Sequence, residues 1–203
     1  MTLWCLLAVS LVAAPPAGEG WTIAAQNERL TVYARERKAT GVQEMRAEGV
    51  LDAPPQKVWR VLRDYQRYPQ TMPFIQVSRV LESEQGGKVI YVYSVVRAPM
   101  IDARDYVIRV LDESDWKDGR GYLKVSWKIA NERAPKSEGN MVRVEVNDGF
   151  WLLEPSDNGE RTRAVYYLYT DPGGAIPKWI VNRANATAIP DVWEAVRRAA
   201  KES

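Results

Sequence analysis

Apolar and polar residues alternate in one segment after another between Leu30 and Thr170, and this period of two commits most of the chain to β-strands with one covered face and one wet face. Leu123, Val125, Trp127 and Ile129 alternate with Tyr122, Lys124, Ser126 and Lys128; Val142, Val144 and Val146 oppose Arg143, Glu145 and Asn147. The pattern predicts strands at Leu30–Arg37, Val42–Leu51, Phe74–Ser83, Lys88–Val96, Arg104–Asp112, Gly121–Ala130, Met141–Leu153 and Arg161–Thr170. Short links such as Glu84-Gln85-Gly86-Gly87 and Asp157-Asn158-Gly159-Glu160 read as hairpin turns, so the sheet should be mostly antiparallel.

Two segments change period. Pro54 and Pro55 suit a first helical turn, and Val58, Val61, Leu62 and Tyr65 follow at helical spacing. A longer helix is expected from Ile176 to Lys201, with Ile180, Ala184, Thr187 or Ala188, Val192, Ala195 and Ala199 on its apolar stripe. Pro190 falls inside it, removes a backbone hydrogen bond and should kink it. The fold class is α+β, and a curved antiparallel sheet buries the apolar sides of both by gripping the helix. A stripe of Ala and Thr leaves volume that either close packing or a ligand can fill.

With 203 residues, 46% of them hydrophobic, the chain supports one core and one domain. A net charge of +2, spread without a basic block, argues against nucleic acid as a partner. The absence of histidine removes the usual general base and zinc ligand, and the single Cys5 can build neither an internal disulfide nor a thiolate metal site. No paired carboxylates, nucleophile elbow or phosphate loop stands out, so neither a catalytic residue, a metal nor a cofactor is expected.

Alternation puts Arg104 on the apolar face with Tyr106, Ile108 and Val110, while Asp105 and Arg109 share the other. A guanidinium there needs a carboxylate, a carbonyl, water or a ligand's polar group, unless the strand end simply reaches solvent. Trp127, Tyr93 and Tyr106 are candidate amphipathic walls, or ordinary core aromatics. Leu3–Ala14, followed by Pro15, Pro16, Ala17 and Gly18, reads as an export signal, which divides the chain into residues 1–20 and a domain at 21–203.

The order of these elements, with Val50-Leu51-Asp52-Ala53-Pro54-Pro55, Ala103-Arg104-Asp105-Tyr106-Val107, the run Gly139–Pro155 and Asp171-Pro172-Gly173-Gly174-Ala175-Ile176-Pro177-Lys178-Trp179-Ile180, resembles the START family of lipid-transfer domains, particularly its bacterial members. The resemblance implies a helix-grip fold enclosing one sterol, hopanoid, phospholipid or similar lipid, and carriage of that lipid without catalysis. It points to Arg104, Tyr106, Tyr93, Met72, Val125, Trp127, Val144, Tyr166, Ile180, Ala184 and Thr187 as the lining. Asp64 is then the candidate ion-pair partner of Arg104. A gate is expected from the Asn131–Asn140 loop, at Ala134, Pro135 and Lys136, moving against Pro190. The partners implied are the lipid, a transient membrane contact and a docking protein of unknown identity, and the address a bacterial periplasm. The stretch with Tyr68-Pro69 and Met72-Pro73-Phe74 is also similar to the wider superfamily of polyketide cyclases and quinone-binding chaperones, which keeps a cavity enzyme as the alternative.

Overall fold

A computed structural model describes residues 18, 20–98, 102–137 and 139–203; the expected export signal lies outside them. β1 (Thr22–Gln26), β2 (Leu30–Glu36) and β3 (Gln43–Leu51) come first, followed by α1 (Pro55–Arg63) and the short α2 (Tyr68–Thr71). β4 (Ile75–Glu84), β5 (Val89–Val96), β6 (Arg104–Asp112), β7 (Asp115–Lys117), β8 (Arg120–Ile129), β9 (Val142–Arg143), β10 (Val146–Ser156) and β11 (Arg161–Asp171) lead into α3 (Lys178–Glu202). The sheet runs β1-β2-β3-β11-β10-β8-β6-β5-β4; β7 pairs with β8, and only the short β9, beside β6, pairs in parallel. The curved antiparallel sheet with its C-terminal helix is the expected α+β helix-grip arrangement.

Both predicted hairpin links turn where their residues tolerate a positive φ, at Gln85-Gly86-Gly87 and Asp157-Asn158-Gly159. The edge strand β4 pairs with β5 through two register shifts, one between Ile75 and Val77, the other between Val80 and Glu82. The expected strand Met141–Leu153 is in fact two, β9 and β10. They part at Val144, whose N–H donates to the Asp105 carbonyl. β1 carries no alternation to read, because it is an almost wholly exposed edge strand.

The inner face of the sheet presents Val32, Met45, Val92, Val110, Val125, Trp151, Leu153 and Tyr166 to Val58, Val61 and Leu62 of α1 and to Ile189, Trp193, Val196 and Ala200 of α3. The buried residues of α3 are Val181, Ile189, Trp193, Ala195, Val196 and Ala200, so the expected stripe holds in the second half of the helix, at Ala195 and with Val192 and Ala199 packed against the core, and fails in the first. Ile180, Ala184 and Thr187 are exposed and share their side with Arg183, Asp191 and Glu194. Successive steps of four residues advance about 40° each around a helix of 3.6 residues per turn, so a stripe traced that way drifts off the true face. α3 continues across Pro190, which leaves the carbonyl of Ala186 without its usual i+4 donor.

Gly49 of β3 fixes where α3 lands. A Cβ there would stand 2.9 Å from Cζ2 of Trp193 and 2.2 Å from the Arg29 carbonyl oxygen. The indole that uses this gap is 3% exposed and tilts against Trp151 with centroids 5.6 Å apart. Trp193→Ala should therefore lower unfolding free energy by about 3–5 kcal/mol in chemical denaturation, with an unchanged denaturant slope.

Candidate functional site

The residues that gather under α3 come from five strands and the α1–β4 connection. Trp127 of β8 lies opposite Gly149 of β10, and a Cβ at Gly149 would sit 2.2 Å from Cζ2 of Trp127. The missing side chain lets the indole fold across β10, where its Nε1 donates to Asn147 Oδ1 at 3.1 Å. Tyr106 of β6 lies near the polar groups of Ser94, its register partner on β5, and of Asn147, both of which act on its phenol. Tyr166 stacks on Trp151 at 4.4 Å and lies 6.2 Å from Trp127. The result is an aromatic wall with one internal polar cluster, Ser94–Tyr106–Asn147–Trp127.

Tyr68 stands across from this wall and donates to the Leu62 carbonyl at 2.7 Å. Desolvation raises the phenols of Tyr68, Tyr106 and Tyr166, and each also feels another of these tyrosines or the polar groups beside it. Yet Tyr68, Tyr106 and Trp127 are only partly covered. Desolvated yet incompletely covered, these side chains mark the less tightly packed part of the inner face. Met72, Val125 and Tyr166 are buried in the same core.

Arg104 opens β6 at one end of this interior and is 5% exposed. Its Nη1 donates to the Asp102 carbonyl, and its Nη2 lies 3.6 Å from where a Cβ on Gly174 would be. Its Nε has no hydrogen-bond partner among the described residues. The expected partner Asp64 is exposed beyond the last turn of α1, and no ion pair joins the two. Topology explains the separation: neighbouring Arg63 pairs with Asp112, at the opposite end of β6 from Arg104.

Two expectations are corrected. Tyr93 lies on the outer face with Tyr91, Val95 and Val107, because the register puts it opposite Val107 and leaves Ser94 opposite Tyr106. The Asn131–Asn140 loop covers that same outer face, so Ala134, Pro135 and Lys136 do not stand over the interior. Ala134 packs against the outer cluster, and Arg133 lies over Tyr91 and pairs with Glu82. Asp105, fully buried, receives Arg143 at 2.8 and 2.9 Å, with Ser137 and Tyr93 also donating to it. Arg143 in turn donates to the Pro135 carbonyl. Val144 is buried beside this network, its carbonyl accepting from Asn131 at 2.7 Å. Pro190 lines a surface groove of about 470 Å³ between α3 and the Asn27–Leu30 turn.

Comparison with known proteins accounts for this arrangement. The START domain matches residues 5–203. The chain belongs to the START family. The human phosphatidylcholine transfer protein is 25% identical over 186 residues, which cover 90% of this chain and 85% of that one. The STAR-related lipid transfer protein of Xanthomonas axonopodis superposes with a TM-score of 0.79 at 28% identity, covering 90% of this START chain and 99% of the fragment solved. Human StAR-related lipid transfer protein 5 shares the fold, with a TM-score of 0.77 at 18% identity over 91% of this chain and 88% of that one.

Sequence reading missed Ser94, Asn147, Tyr68 and Trp151. Ser94 and Asn147 sit where alternation had assigned only a face, and nothing local marks a polar residue as an inner one. Burial of the tyrosines has a consequence in alkali. The phenol of Tyr65, 5% exposed, is pushed up to about 12 by desolvation, and those of Tyr68, Tyr106 and Tyr166 also rise. An unfolded chain loses these protons near pH 10 while the folded chain keeps them, so stability is complete below pH 10 and falls as pH climbs toward about 12. Melting temperature followed from neutral pH to about 12, beside the ultraviolet absorbance of tyrosinate, should show a late-ionising fraction and a steep loss of stability over that window.

Proposed function

We propose that this START protein carries one lipid molecule between its sheet and α3, with the lipid's polar end held at Arg104. The observation that carries this reading is the buried guanidinium whose Nε has no partner among the described residues, at one end of an inner face walled by Trp127, Tyr106 and Tyr166. A permanent cation out of water is costly unless polar groups satisfy it, and a phosphate or carboxylate supplies acceptors in a matching fork. The name of the phosphatidylcholine transfer protein and the good superposition on a bacterial lipid transfer protein support a lipid as cargo. Apolar burial of about 25 cal/mol per Å² is nearly equal in a bilayer and in this interior, so exchange needs no coupled energy source. The raised phenols stay protonated at neutral pH and act as hydrogen-bonding wall groups. Together with a chain lacking histidine, they favour carriage over catalysis.

The contact with a bilayer is assigned to the start of α3. Trp179 is 68% exposed and Ile180 39%, beside the exposed Lys178 and Arg183. An indole with flanking cations suits the headgroup region of an anionic membrane. No helix among the described residues is long and apolar enough to cross a membrane.

Arg104→Leu should weaken binding of a phospholipid about tenfold or more in a fluorescence titration; unchanged affinity would leave Arg104 a partner of Asp102 alone. Trp179→Ala should slow lipid transfer between anionic vesicles about threefold or more while leaving bound lipid and melting temperature unaltered. Transfer at the wild-type rate would move the membrane contact elsewhere.

A further inference from the structure

Tyr65 follows α1 on a 3-10 turn and sits in the inner core, its ring edge-on to Tyr68 with centroids 5.4 Å apart. Its hydroxyl is buried and has no hydrogen-bond partner among the described residues. The polar groups nearest in the chain and at that end of the sheet are already engaged. Arg63 donates to Asp112 at 2.9 Å and to the Gly87 carbonyl at 2.6 Å, and the Tyr68 hydroxyl is spent on Leu62. Phenylalanine would fill the same volume without burying an unpaired hydroxyl. The hydroxyl therefore lowers the stability of the empty protein and is matched by nothing among the described residues.

Its position gives it a use. Arg104 begins β6 and Asp112, which senses the Tyr65 phenol, ends it. Eight residue steps of extended chain separate the two, on the order of 26 Å along the strand. The inner face between them is polar near Arg104, at Ser94, Tyr106 and Asn147, and then apolar through Ile108, Val110, Leu123 and Val125. Tyr65 restores a polar group beyond this apolar stretch.

We infer that the interior recognises a lipid with two polar ends, an anionic or polar headgroup at Arg104 and a hydroxyl or carbonyl on the distal part of its apolar body, paired with the Tyr65 hydroxyl. This rests on the lipid-carrier reading above and narrows its ligand class. A phenol both donates and accepts, so an alcohol or a ketone satisfies it and a plain hydrocarbon tail does not. Sites built to pair a ligand's polar group discriminate strongly against analogues that lack it, because the protein group is then left unpaired.

The test uses the full chain with stearate and its terminally hydroxylated analogue as probes, followed by intrinsic tryptophan fluorescence, in wild type and in Tyr65→Phe. The wild type should bind the hydroxylated acid about tenfold more tightly. Tyr65→Phe should bind stearate as the wild type does, lose the preference for the hydroxylated acid, and melt no lower when empty. Equal binding of the two acids by the wild type, or a preference that survives in Tyr65→Phe, overturns the two-ended ligand and leaves lipid carriage standing. If neither acid binds and phosphatidylcholine does not bind either, the carrier reading fails and this inference falls with it.

Discussion

The indole of Trp193 stands on β3 at the place where Gly49 has no side chain, with Trp151 beside it and Tyr166 stacked beyond. That contact settles which side of the sheet is covered by α3, how closely the helix approaches, and how far along its length. Where Trp193, Val196 and Ala200 come down, helix and sheet meet as an ordinary packed core. Toward the other end of α3 the buried residues thin out to Val181, which packs against Val42 and Tyr169 at the rim of the sheet. The two ends of the helix are therefore unequal: one is anchored tightly on the sheet, while the other lies across its margin.

Arg104 and Asp105 show how one step along a strand separates two electrostatic tasks. Asp105 points outward and is satisfied several times over, by Arg143, Ser137 and Tyr93, in a network that ties the Asn131–Arg143 segment onto the outer face. Arg104 points inward, and among the described residues it has one main-chain acceptor and an unused Nε. The outer pair is closed and holds structure; the inner group is left open to chemistry brought from outside. A strap fastened so firmly through its charges is poorly suited to move as a lid.

The strands that face the core were readable because each had to alternate: Leu123, Val125 and Trp127 of β8 announce their side without help. The helix-grip class followed from eight such strands before a long final helix. What could not be read depended on residues distant in the chain. Tyr93 has neighbours as apolar as those of Val92, and only the pairing with Val107 decides that it looks outward. Asn147 and Gly149 read as interruptions in a strand, yet together they seat Trp127, the one by hydrogen bonding and the other by absence of a Cβ. The first half of the α3 stripe was misjudged through accumulated rotation, and the placement of Asp64 depended on which end of β6 the close of α1 reaches.

An open sheet of this kind has to solve a second problem, since its last strand could recruit a strand from another molecule. β4 is that border, and it is poorly made for recruitment. Two register irregularities bend its hydrogen-bonding row, and its outward positions carry Arg79, Glu82 and Glu84, the glutamates tethered by Arg133 from the strap. A protein whose cargo leaves and returns must spend part of its life with interior apolar surface incompletely filled, when partial opening is easiest. A crooked, charged border makes that interval safer, so the bulges of β4 can be understood as protection against self-association rather than as irregularities in folding.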